Sequence, residues 1–146
     1  MSKNLSLFII PAAVSAFVLM FSHCAPKGNL AGNHMAFDTI CFGKSGGFAN
    51  LTEKYVLERD GHVYKEIEGE LQEINKVRRP LMKQIKSELD SLHLGTMELD
   101  EVGNMTYFLE VISDTLHRVT WTESSENPAV KNFYKILVTT LPKQKQ

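Results

Sequence analysis

Two chemistries are spelled over the same five residues, Gly43-Lys44-Ser45-Gly46-Gly47. Gly-x-Ser-x-Gly is the string in which a serine on a sharp strand-to-helix turn acts as a nucleophile, and Gly-Lys-Ser closes the loop whose backbone amides cradle phosphates. Each needs a helix directly after it. The residues after Gly47 read as a strand, and Asp38 stands where the first glycine of a phosphate loop belongs, so neither chemistry is expected. Gly46-Gly47 are read as conformational residues instead, since a chain without Cβ atoms can reverse or bulge between strands. Phe48 follows at the loop tip. It is read first as a plug turned inward beneath the loop, and second as an exposed anchor for a partner.

The other chemistry-bearing residues are scattered. His23 falls in the apolar leader, and His34, His62, His93 and His117 lack the short spacing that would bring two ligands together, so no metal site and no cofactor are expected. Cys24 and Cys41 are the two cysteines; Cys41, within an apolar strand, is read as a small core filler rather than a nucleophile. Glu66, Glu68, Glu70 and Glu73 read as a solvated strand end and loop, without the glycine-centred twelve-residue loop of a calcium site. Trp121 is read as core. No nucleophile-base pair is visible, so an enzyme is not expected.

Positioning falls to elements whose signals are stronger. Phe37 to Gly43 reads as a first strand, Lys44 to Asn50 as loop, and Leu51 to Arg59 as a second strand. Asp60-Gly61 signals a tight two-residue connection, after which His62 to Glu68 pairs back. Pro80 suits a first helical turn, and Leu81, Ile85, Leu89 and Leu92 give that helix an apolar stripe ended by Gly95. Met105 to Ile112 and Leu116 to Thr122 form a hairpin turned at Ser113-Asp114-Thr115, apolar on both faces and therefore expected to be central. Asn127-Pro128 caps a last helix with Val130, Phe133, Tyr134, Leu137 and Leu141 on its buried side. The order β-β-β-α-β-β-α predicts an α+β domain: a mostly antiparallel sheet of about five strands with two helices packed on one face.

Length and composition agree with one such domain. The chain has 146 residues, 43% hydrophobic and 23% charged, enough for a modest core and too apolar for a disordered chain. Its formal charge is −1; with Lys3 set aside, 15 Lys and Arg face 17 Asp and Glu, all of the acids after residue 37. A nucleic-acid partner is not expected from that balance.

The first 23 residues differ from the rest. Lys3 precedes an uncharged run from Leu5 to Phe21 that Pro11 interrupts, which reads as an export signal rather than a spanning helix. Phe21-Ser22-His23-Cys24 resembles the end of a bacterial lipoprotein signal, and the resemblance implies cleavage before Cys24, its acylation, and a membrane-anchored protein of the cell envelope, periplasmic or surface-facing. An uncleaved anchor and a Cys24–Cys41 disulfide are the alternatives. Residues 24–36 then form a flexible tether, rich in small and polar residues; its last 12 could reach up to about 40 Å if fully stretched. Residues 37–146 are the domain.

Ser45-Gly46-Gly47-Phe48-Ala49, Tyr55-Val-Leu-Glu-Arg-Asp-Gly, Leu92-His-Leu, Tyr107-Phe-Leu-Glu-Val with Val119, and Asn127-Pro-Ala-Val together resemble the emfourin-type domains, small inhibitors of thermolysin-like metalloproteases. The five-residue Ser-Gly-Gly-Phe-Ala string carries the specificity of that likeness, and Asn50 stands where the family has a further glycine. The chain is also similar to small lipoproteins of Bacteroidetes-type bacteria that begin with a Cys-Phe-Gly-Lys-Gly-Gly-Gly-Phe-like string. The resemblance implies a tethered binding module whose partner-binding loop is Lys44, Ser45, Gly46, Gly47, Phe48 and Asn50, and whose partner is a secreted or periplasmic protease. A structural envelope lipoprotein without catalytic activity is the alternative.

Overall fold

A computed structural model describes residues 37–143. The leader, Cys24 and the tether lie outside the described residues, as does the Cys24 half of the disulfide alternative. Six strands and two helices follow in the order β1 (Thr39–Gly46), β2 (Leu51–Glu58), β3 (His62–Ile67), β4 (Glu70–Lys76), α1 (Arg79–Leu92), β5 (Met105–Ile112), β6 (Leu116–Trp121) and α2 (Pro128–Val138). The domain is α+β, its sheet antiparallel in the spatial order β4-β3-β2-β1-β5-β6.

The sheet has six strands where five are expected, and β4 is the addition. Its residues, Glu70-Leu-Gln-Glu-Ile-Asn-Lys76, are mostly exposed, so they lack the apolar alternation of a half-buried strand. A two-residue turn creates it. Glu68 and Gly69 take φ 54° and 87°, the mirror-image geometry that suits the twist of a hairpin, although glutamate is an unusual first residue there.

Centrality shifts in the same way. β1 pairs along all eight of its residues with β2 on one side and β5 on the other, so it and β2 hold the middle of the sheet. The β5–β6 hairpin lies to one side. Its outer strand is covered instead by the segment after α1, where Glu101 N–H donates to Thr120 C=O and Thr120 N–H to Leu99 C=O, each at 3.0 Å.

Both helices close one face over a single apolar cluster. Ile40 and Phe42 of β1, Leu57, Val63, Leu109, Val111, Val119 and Trp121 meet Met82, Ile85, Leu89 and Leu92 of α1 and Val130, Phe133 and Leu137 of α2. Asn127 caps α2 through its side-chain oxygen, which accepts from Val130 N–H at 3.2 Å. α1 ends at Leu92, the last residue of its expected stripe, but the stop is made by His93, which takes the left-handed conformation at φ 50°, and not by Gly95, which belongs to a short 3₁₀ turn, Leu94–Thr96. Arg59 leaves β2 for a three-residue connection, with Gly61 at φ 97° as the residue that tolerates it.

Among the described residues no helix covers the opposite face, yet Cys41, Val56 and Phe108 are buried there. Long charged side chains lie over the strands that carry them: Lys54 pairs with Glu66 at 2.8 Å and Arg118 with Glu110 at 2.9 Å. Burial raises the Cys41 thiol above its ordinary pKa. It is a filler of that face.

Candidate functional site

β1 extends through Gly46, so Lys44 and Ser45 are strand residues and not loop residues. Flanking strands on both sides satisfy their backbone, which is what draws them out of the expected loop. Ser45 pairs in register with Thr52 and Thr106, and no helix follows it to make a nucleophile elbow or a phosphate cradle. Lys44 pairs with Glu53 at 3.3 Å.

The connection itself is residues 47–50. Gly47 N–H donates to Asn104 C=O at 2.6 Å and Asn50 N–H to Gly47 C=O at 3.0 Å, a tight turn tied to the start of β5. Gly46 and Gly47 have φ 108° and 74°, so the conformational reading of the pair holds, and Asn50 at φ 46° uses the tolerance of asparagine for that region.

Phe48 points out. Its exposure is 110%, which corrects the reading of an inward plug. Backbone packs closely at the start of the turn, where a Cβ on Gly46 would meet Asn104 C=O at 2.3 Å.

Strand directions place four other exposed apolar residues at the same end of the sheet, while Ile112 and Leu116 are exposed at the opposite end. Leu51 opens β2, Ile67 closes β3, Leu71 follows the next turn, and Val102 precedes the segment tied to Gly47; all are exposed. Phe37, where the described chain starts, is at the other end, beside Ile112. The polarity is a consequence of antiparallel pairing with tight turns.

A second feature lies on the helix-bearing face near that end. Register aligns Glu53, Lys44, Tyr107 and Trp121 across β2, β1, β5 and β6. Tyr107 stacks on Trp121 with centroids 5.9 Å apart, and Tyr134 of α2 meets both edge-on at 5.4 Å. Together with Val138 they line an open cleft of about 360 Å³, whose rim is Thr122, Glu123, Lys131 and Lys135. Burial pushes the Tyr134 phenol well above the ordinary tyrosine range, and burial with a hydrogen bond to Glu123 raises Tyr107. Trp121 belongs to the core and also lines the cleft.

Sequence patterns place Trp121 and Tyr134 inside without joining them. The signals that could join them are the hairpin turned at Ser113-Asp114-Thr115, which pairs Tyr107 with Trp121, and the helical spacing by which Lys131 and Lys135 flank Tyr134.

Elsewhere, His62 sits between Glu73 and Lys76, its Nδ1 2.8 Å from the carboxylate and its Nε2 2.8 Å from the ammonium. No cluster of three or more His, Cys, Asp or Glu suited to a metal occurs among the described residues. No helix among them is long and apolar enough to cross a membrane. Comparison with models of known protein families gives no match, and no curated protein is detectably similar in sequence.

Proposed function

We propose that this chain is a membrane-tethered binding domain that engages a protein partner, a secreted or periplasmic metalloprotease of the thermolysin type, through the Gly46–Asn50 turn. One observation carries the reading: Phe48 stands wholly in solvent on a turn clamped to the neighbouring strand. A large apolar ring held outward has no role in the core, and the same geometry suits an anchor that enters a cleft. Leu51 and Val102 beside it extend the apolar contact. Asn50 ends the turn, and Lys44 and Ser45 support it from β1.

A lipid on Cys24 would hold the domain through the tether that precedes Phe37. No catalytic role is assigned; the domain acts by binding.

The test measures hydrolysis by several thermolysin-like proteases with the purified chain and with Phe48→Ala. Inhibition by the unaltered chain, weakened tenfold or more in the variant at unchanged stability, is the expected result, since anchors cost about 2 kcal/mol or more on truncation. Stability should move by less than about 0.5 kcal/mol, as for other exposed residues. Absence of inhibition by the unaltered chain across all the proteases would reject the protease partner and favour a structural envelope lipoprotein.

A further inference from the structure

The cleft on the helix-bearing face is independent of the Phe48 turn, and its chemistry is specific. Tyr107, Trp121, Tyr134 and Val138 supply apolar walls, and its volume of about 360 Å³ falls within the roughly 300–1,000 Å³ of small-molecule sites. Its polar groups are largely engaged. Tyr107 Oη–H donates to Glu123 Oε1, Lys131 Nζ donates to Glu123 C=O, and the Thr122 hydroxyl bonds to Glu101 and Ser124. Water in such a space finds few partners, which favours an apolar occupant.

Charge selects its head group. Lys131 and Lys135 face one acid, Glu123, so the rim carries one excess positive charge, and among the described residues the Lys135 ammonium has no ion-pair partner. The Glu123 carboxylate is already held by Tyr107. We infer that the Tyr107–Trp121–Tyr134 cleft binds a small free carboxylic acid with an apolar, preferably aromatic, body, the ring against the partly exposed tyrosine side chains and the carboxylate on Lys135. A monoanion matches the excess charge. An amine would meet the lysines unfavourably, and a neutral analogue would keep the stacking and lose the pairing.

Trp121 is the chain's one tryptophan, so its emission reports on the cleft. Titration of the full chain with 4-phenylbutyrate, 4-phenylbutanol and 4-phenylbutylamine gives the test. The acid should bind about threefold to fivefold more tightly than the alcohol, the range of a partly exposed ion pair, with the amine weakest. Lys135→Gln should bring the acid to the level of the alcohol, whereas Lys83→Gln, on exposed α1 surface, should leave it unchanged. Val138→Asp adds a carboxylate at the lip, cancels the excess charge and should narrow the gap between acid and amine. Circular dichroism and melting on each variant establish that it is folded. The inference is overturned if no probe alters Trp121 emission at millimolar concentration, if acid and alcohol bind equally, or if Lys135→Gln keeps the preference for the acid.

Discussion

Alanine at Gly46 tests the clamp that turns Phe48 outward. The residue has φ 108°, outside the small left-handed well open to ordinary side chains, and a methyl group there would lie 2.3 Å from Asn104 C=O, a backbone atom that cannot swing aside. Strain of about 1–2 kcal/mol adds to a steric cost of about 1–3 kcal/mol, so Gly46→Ala should lose about 2–5 kcal/mol. Two other glycines isolate the terms. At Gly69, φ is 87° and a Cβ meets nothing within 4 Å; at Gly47, φ is 74° and a Cβ meets the flexible end of Met105 at 3.3 Å. Alanine at either position should cost about 1–2 kcal/mol from backbone strain alone. Urea unfolding followed by Trp121 emission gives the midpoints, with an unchanged slope showing that the exposed surface is the same. If Gly46→Ala unfolds within about 0.5 kcal/mol of Gly69→Ala, the backbone contact contributes nothing and the reasoning is wrong.

Three other outcomes are expected. The Tyr134 phenol titrates higher in the folded chain than its ordinary value of 10, so the fold binds more protons at alkaline pH and stability should fall as pH rises above about 10; Tyr134→Phe should lessen that slope in denaturant midpoints across the range. Glu68→Asn places a residue suited to φ 54° at the first position of the β3–β4 turn and should raise stability by about 0.5–1 kcal/mol; a lower melting temperature would count against the turn assignment. Cys24→Ala should release the body from membranes or block processing of the leader, read by fractionation and gel mobility, and unaltered behaviour in both would remove the lipid anchor from the proposal.

Much of the fold lies in local signals. Asn127-Pro128, the spacing of Ile85, Leu89 and Leu92, and the Ser113-Asp114-Thr115 turn are decided within a few residues, because caps, helical periodicity and turn geometry depend on near neighbours. The glycines at 46 and 47 are equally plain as backbone residues. Tertiary structure alone decided three things. β4 is a strand because the Glu68-Gly69 turn lays it along the open edge of β3, not because its exposed Glu70-Leu-Gln-Glu side chains prefer one. Phe48 faces solvent on a turn that the Gly47 N–H ties to Asn104 C=O, more than fifty residues later. Tyr107, Trp121 and Tyr134 line one cleft because α2 packs on the sheet with Tyr134 edge-on to the paired rings. Pairing register and helix placement are properties of contacts distant along the chain, and no local pattern of residues carries them.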